Sequence, residues 1–496
     1  MQTVSCPSCG APVKFRSHAA VMAVCEYCNA SVLKDADSVK DIGKMSSVLE
    51  DFSPIQIGTS GTVGGGGFNV VGRIQLRYEA GMWNEWYLLF DSGETAWLGD
   101  SSGMFTVTRE RKVAAAELPT FDEVEPGKIY TVGKERFTAA EKRVAQCIGG
   151  QGELPFKVGE GWQARVADFR AGATFLTLDY SDGELPLVFS GRAVTLEEMK
   201  CQLLREDDQI KASAGKYRGK LDALDCPTCG SMIKYLPGMT TNLVCPACSS
   251  QLDAAGPEAV VLEKGAAVER EYTSLTLGAE AKINGNDYTV IGVMKRADDE
   301  GTEWAEYLLY NTKAAFFWLV ETDKGWSRAS VMPSWPTWSW TGADNAVLET
   351  VTYNKLYEYP ASVTYVAGAF NWKVQKGDTV RVFEFSSGSA TLAAELTPNE
   401  MTWSRSTPVA FDQVKAWFGA NLRGAAPKVS AGGVEDVMGS TSMRRFAKWI
   451  LGLNLIPLLL NFRGSLVMTI IALIALYGPA LYFASQGNSP IEGDKQ

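Results

Sequence analysis

Cys6-Pro7-Ser8-Cys9-Gly10 returns 220 residues later as Cys226-Pro227-Thr228-Cys229-Gly230. Fifteen residues after each knuckle comes a second Cys-x-x-Cys pair, Cys25/Cys28 and Cys245/Cys248. Two residues between cysteines let a tight turn aim both sulfurs at one point, and two such knuckles complete a tetrahedron suited to Zn²⁺. Proline sets the turn, and Gly10 and Gly230 supply a positive φ beyond it. The expected ligand sets are Cys6, Cys9, Cys25, Cys28 and Cys226, Cys229, Cys245, Cys248, for two structural zinc ions. Four thiolates leave no open position for catalysis. Paired disulfides are the alternative, disfavoured by a reducing cytosol, and a redox Cys-x-x-Cys is weaker still. Cys147 and Cys201 stand outside both sets and read as plain thiols.

The duplication runs on from the knuckles. Phe68 to Gly72 matches Tyr288 to Gly292, and Tyr87-Leu88-Leu89-Phe90 matches Tyr307-Leu308-Leu309-Tyr310 at the same offset. Trp97-Leu98 matches Trp318-Leu319 after one inserted residue. Further on the offset is 216, pairing Gly152 with Gly368, Phe169 with Phe385 and Glu184 with Glu400. The run Gly64 to Gly67 lacks the Gly-Lys-Ser/Thr ending of a phosphate loop. Copy two has Asn284-Gly285-Asn286-Asp287 there, so a hairpin tip accounts for both.

Runs such as FNVVGRIQLRY, EWYLLF and DTVRVFEFSS, set between Gly, Asn and Asp turns, read as strands. The fold class is mainly β with minor helices: tandem zinc ribbons, β-sheet or barrel modules, and a C-terminal transmembrane helix. The expected divisions are ribbon one (1–34), β-rich copy one (50–194), a helical linker (195–222), ribbon two (223–252) and β-rich copy two (268–422). A flexible linker (423–445), an interfacial apolar segment (446–462) and a transmembrane helix (465–484) follow. Each β body is expected to split into two small sheets or barrels. Helices are expected over Thr195–Leu221 and Ala410–Leu422.

In copy two, Tyr288 to Gly292, Trp304-x-Glu306-Tyr307-Leu308-Leu309 and Trp318-Leu319 form one block. Gly368-Ala369-Phe370-x-Trp372, Gly377-Asp378, Glu395, Glu400 and Trp403-Ser404 form another. Together they resemble the bacterial domain of unknown function 4178 family, over about two thirds of the chain. Copy one diverges: Trp83-x-Glu85 has an extra residue before Tyr87, Gly152-Glu153-Leu154 stands in the second block, and Leu187 replaces Trp403. The resemblance implies a bacterial protein encoded near polyamine-synthesis enzymes, small membrane proteins and membrane-stress coat proteins. It transfers no catalytic residues.

The chain has 496 residues, a formal net charge of −10, ten cysteines and one histidine, His18. A single histidine leaves little room for hydrolase triads or proton shuttles, so an enzyme is the weaker reading. His18 reads as a ribbon-loop residue. The acidic balance, with only Lys14, Arg16 and His18 in one ribbon loop and Lys234 in the other, argues against a nucleic-acid partner. No basic and apolar leader opens the sequence, so the bulk is expected in the cytoplasm.

Glu85 and Glu306 each follow a Trp by two positions. A carboxylate there could bind a cation such as a polyamine, but strand alternation favours a solvent-facing side chain. Glu184 and Glu400 read the same way. Trp326, Trp335, Trp338 and Trp340 form a copy-two cluster, read as packing ahead of a partner face.

Residues 465–484 carry no charge. Arg444, Arg445, Lys448 and Arg463 precede them, which predicts a single pass through the inner membrane with the bulk inside. The functional expectation is a membrane-tethered zinc-binding adaptor or scaffold for protein partners at the cytoplasmic membrane face. The alternative is a sensor or enzyme module that binds a cationic small molecule.

Overall fold

The computed structural model describes residues 2–486 except 35–38, 47, 79–80, 102–103, 115–117, 159–161, 184, 257, 265–271, 313–314, 340–343, 424–440 and 461. Each ribbon is two short hairpins. In the first, Gln2–Ser5 pairs Pro12–Phe15, and Met22–Val24 pairs Ala30–Lys34. In the second, Asp222–Asp225 pairs Met232–Tyr235, and Asn242–Val244 pairs Gln251–Asp253.

The barrel strands of copy one are β1 (Gly66–Tyr78), β2 (Gly81–Phe90), β3 (Thr95–Ser101), β4 (Met104–Glu110), β5 (Glu135–Leu154), β6 (Gln163–Ala171), β7 (Thr174–Asp179) and β8 (Leu187–Val194). Those of copy two are β9 (Asn286–Asp298), β10 (Glu303–Asn311), β11 (Ala315–Thr322), β12 (Gly325–Val331), β13 (Val351–Phe370), β14 (Thr379–Ser387), β15 (Ala390–Leu396) and β16 (Met401–Val409). In copy one the antiparallel ladder runs β1–β2–β3–β4–β8–β7–β6–β5 and returns from β5 to β1. Copy two repeats the same closed order. Closure removes the unpaired edges that an open sheet would expose.

One long strand per copy makes the closure possible, so the body does not split into two sheets. β5 pairs β6 through Thr138–Gln146, β1 through Gln146–Gly152, and the first ribbon through Glu153 and Leu154. β13 does the same, ending on Asn242 of the second ribbon. The ribbons are therefore extensions of the barrel sheets, not separate beads. Val39–Lys44, in the expected connector after ribbon one, adds a further strand to that ribbon.

Both hairpin tips are two-residue turns with positive φ at each position: Gly64 and Gly65 at 59° and 83°, Asn284 and Gly285 at 51° and 80°. That geometry defines a type I′ turn and accounts for the glycine run without a phosphate.

The ladders also correct the repeat alignment. Gly72 faces Tyr87, whereas its counterpart Gly292 faces Leu308. Tyr307 therefore occupies the place of Trp86, and the inserted residue falls in the turn before β10, not after Tyr310. The apparent match of Tyr87 with Tyr307 is one residue out, which in a strand means the opposite face.

The expected helix over Thr195–Leu221 shrinks to α1 (Asp207–Ala214). Leu196, Met199, Cys201 and Leu204 pack on the copy-one core in irregular turns instead. Gly215, at φ 74°, ends α1. The helix expected over Ala410–Leu422 is found as α2 (Phe411–Phe418) with a 3₁₀ turn, Gly419–Asn421. Trp326, Trp335 and Trp338 are buried in copy-two cores, as the packing reading requires, while Trp340 lies outside the described residues.

Two helices close the chain, α3 (Thr441–Leu460) and α4 (Phe462–Gln486), packed on one another. The segment 446–462 is thus helical in α3 and at the start of α4. Of the expected flexible linker, 424–440 lies outside the described residues and 441–445 belongs to α3. The expected transmembrane helix is not supported. Residues 465–484 fall within α4, but among the described residues no helix is long and apolar enough to cross a membrane.

Candidate metal centres and their surroundings

The four cysteines of each set converge, with all sulfurs within 4.8 Å of one another. In ribbon one the Sγ separations are 3.7 Å for Cys6–Cys28 and 3.7 Å for Cys9–Cys25. In ribbon two they are 3.8 Å for Cys226–Cys248 and 3.6 Å for Cys229–Cys245. A disulfide would need about 2.05 Å. Four sulfurs about 2.3 Å from a central tetrahedral ion stand roughly 3.8 Å apart. The donor set therefore fits a metal ion and not a pair of disulfides.

Backbone geometry explains the convergence. Gly10 and Asn29 donate their amides to the Cys6 and Cys25 carbonyls, and Gly230 and Ser249 do the same for Cys226 and Cys245. All four residues take positive φ, between 53° and 79°. The glycines were legible in sequence, whereas Asn29 and Ser249 were not. One thiol per ribbon is acidic. The Ala30 amide, then the Cys9 thiol, hold Cys28 at about 7. Burial pushes its counterpart Cys248 up, but hydrogen bonds from Ser250 outweigh it and bring the thiol down to about 7. Metal ligation requires thiolate. His18 is exposed and stands outside the clusters. Cys147 and Cys201 pack beside hydrophobic cores.

Each ribbon is latched to its own barrel differently. Glu153, 1% exposed, takes the amides of Arg16 and Ser17 at 2.6 and 2.8 Å and pairs with the Arg16 guanidinium at 3.4 Å. Copy two has Ala369 at that place. There Asn242 donates its side-chain amide to the Val374 carbonyl at 3.2 Å. Glu153 was not singled out from sequence.

Glu85 and Glu306 do not face solvent. Trp83 donates its indole N–H to Glu85 at 2.8 Å, and Trp304 donates to Glu306 at 2.7 Å. Burial pushes Glu85 up to about 7, with Trp83 pulling it down and Asp168 pushing it further up. Glu306 is also raised by burial, but Arg296 opposes this from 3.5 Å. Arg296 reaches Glu395 as well, at 2.7 Å. Copy one has Leu76 where copy two has Arg296; its nearby cation is Arg143, over Tyr78 and Trp83. Asp168 and Asp179, which both act on Glu85, correspond to Glu384 and Glu395 at the offset of 216. Glu400 is exposed, and Glu184 lies outside the described residues.

A second polar cluster lies between the copies. Asp51 pairs with Arg73 at 2.5 Å and accepts the Asn84 amide at 2.7 Å. Asp100 accepts Ser53 at 2.5 Å and Arg218 at 2.8 and 3.2 Å. Asp51, Ser53, Asn84, Asp100 and Arg218 line a cavity of about 40 Å³ bounded on its other side by Gly238, Thr241 and Ala255 of copy two. Opposite charges alternate and every partner is within reach, which keeps a buried network of this kind tolerable.

The chain belongs to the family described as Domain of unknown function (DUF4178), whose model matches residues 56–196 and 276–411. The matches cover the two barrels and leave out both cysteine clusters. Comparison with curated proteins and with solved structures gives no match.

Proposed function

We propose that the chain is an adaptor or scaffold in which each four-cysteine cluster holds one structural zinc ion and the barrels offer surfaces to protein partners. The observation that carries the reading is the sulfur spacing of 3.6–3.8 Å in both ribbons, the edge of a thiolate tetrahedron around zinc. Four protein ligands leave no open position, so the metal's contribution is to folding. The ribbon hairpins continue the barrel ladders, and a metal that fixes the hairpins also fixes the ends of β5 and β13.

The C-terminal helices supply the attachment. Phe446, Trp449, Leu451, Leu453 and Leu455 of α3, and Val467, Met468, Ile470, Ile471 and Ile474 of α4, are exposed. At 100° per residue the α3 positions fall on several faces and the α4 positions share one broad arc of about 160°, an apolar surface that suits lipid contact. The helix pair would rest in the inner-membrane surface and hold the barrels at its cytoplasmic face.

Metal analysis of the full chain tests the first part. Two zinc ions per chain are expected, and one after Cys6→Ser with Cys9→Ser; an iron content matching or exceeding zinc would overturn the assignment. Flotation with anionic vesicles tests the second, and a chain that stays at the bottom of the gradient removes the membrane reading.

A second reading has its own observation. Glu85, Asp168 and Asp179, and their counterparts Glu306, Glu384 and Glu395, are shielded acidic groups beside Trp83 and Trp304. They would suit a cationic small molecule such as a polyamine. Calorimetry with spermidine decides this: saturable heat that Glu85→Gln and Glu306→Gln abolish supports it, and none above a charge-matched control excludes it.

A further inference from the structure

We propose that the second ribbon is a metal-dependent clasp that locks one end of the joint between the two barrels, while the first ribbon serves only its own barrel. The proposal rests on the zinc reading above. It goes beyond that reading by giving two ribbons of equal spacing different tasks.

The second ribbon touches three bodies. Its own barrel pairs with it at Asn242 and Phe370. Barrel one meets it at several points: Gly238 packs on Phe52, Thr241 lies beside Gly81, and Asp253 pairs with Arg77 at 3.8 Å. The chain entering the ribbon ties everything together. Arg218 forks onto Asp100 of barrel one, and the side chains are 13% and 2% exposed. The next residue, Gly219, donates its amide to the Pro237 carbonyl in the ribbon at 2.9 Å. Its own carbonyl accepts the Tyr310 hydroxyl of barrel two at 2.6 Å.

These contacts come from the loop between the ribbon's two hairpins, 236–241, and its flanks. That loop is stretched between Cys229 and Cys245. The metal therefore sets its shape, and without metal a ribbon of this size does not hold a fold.

Glycine decides which ribbon can do this. A Cβ on Gly238 would stand 2.2 Å from the Phe52 Cβ, and one on Gly219 2.7 Å from the Met239 sulfur. The first ribbon has His18 where the second has Gly238. An imidazole there cannot make the same close approach to a barrel, and the first ribbon's loop is held instead by Glu153 of its own β5. Phe52 is 1% exposed beneath the clasp, while Tyr272, 220 positions on, is 64% exposed.

The barrels also meet at a second place. Lys142 donates its amide to the Asn399 carbonyl at 3.2 Å, and Trp335 donates to Gly172 at 3.0 Å. Losing the clasp should therefore open one end of the joint about this hinge, not separate the barrels. Metal loss from ribbon two would then change the angle between the barrels while both stay folded.

Hydrogen exchange read by mass spectrometry on the full chain tests this, with metal content measured on each sample. In Cys226→Ser with Cys229→Ser, segments 49–55, 98–101 and 215–220 should exchange about tenfold faster or more. In Cys6→Ser with Cys9→Ser they should exchange at the parent rate. Because the serine variant also unfolds its own ribbon, Gly238→Val supplies an independent arm. It keeps all eight ligands and should retain both metal ions, yet speed exchange in 49–55. The clasp is overturned if the ribbon-two serine variant loses one metal with those segments still protected. It is also overturned if the ribbon-one variant exposes them equally, or if Gly238→Val leaves 49–55 unchanged. A parent chain with no metal in ribbon two would instead defeat the zinc reading.

Discussion

Gly152 stands directly opposite Gly72 where β5 crosses from its pairing with β6 to the first ribbon, and Gly368 stands opposite Gly292 at the same crossing in copy two. A Cβ on Gly72 would lie 1.8 Å from the Glu153 carbonyl oxygen, and one on Gly152 2.2 Å from that of Val71. The strands approach so closely here that neither partner can carry a side chain. This closes the barrel and joins the ribbon to it in one step.

Gly72→Ala should therefore cost about 3 kcal/mol or more, because backbone must move to admit the methyl. Gly65→Ala is the matched control. Gly65 has φ 83° but no atom within 4 Å of the added carbon, so only the left-handed backbone resists, at about 1 kcal/mol. Urea unfolding of both variants checks the ranking. Equal shifts would mean that the crossing is looser than the contact implies.

Glu85 makes stability depend on pH. Its carboxyl is raised to about 7 by burial, so the folded state prefers the protonated form. For a raised acid, the stabilising contribution is whole below the unfolded pKa and is lost as pH climbs through the folded one. The window is about 4.5 to about 7, and the span is on the order of 3 kcal/mol. Glu85→Gln should flatten the melting temperature across that window and raise it at pH 8. A parent profile already flat between these limits would show that Glu85 is ionised at no cost.

Arg296 offers the opposite test. It is 7% exposed and serves both Glu306 and Glu395. Arg296→Leu recreates the copy-one residue, Leu76, but strands two carboxylates. A loss of about 3–5 kcal/mol is expected at pH 8, and less as pH falls, because burial favours the protonated form of Glu306. Adding Glu306→Gln and Glu395→Gln should recover most of it. A double-mutant cycle on denaturation reads the coupling; independence of the substitutions would contradict the pairing.

Much of this was legible from local spacing. A Cys-x-x-Cys knuckle needs only a few consecutive residues, and its repetition at one offset marked the duplication, both four-cysteine clusters and the β bodies beyond them. Gly64-Gly65 and Asn284-Gly285 declare type I′ turns because positive φ is a property of the residue itself. Tertiary structure decided what depends on distant pairing. Alternation along β2 and β10 suggested solvent for Glu85 and Glu306, but each shares its surroundings with charged residues from other strands of its own barrel, Asp168 and Asp179 in copy one and Arg296 and Glu395 in copy two. The register of Tyr307 needed its ladder partner, since one inserted residue in a turn reverses every side chain after it. The bond between Arg218 and Asp100 joins residues 118 positions apart. Nothing in either neighbourhood announces it, because a buried ion pair is set by where the chain returns.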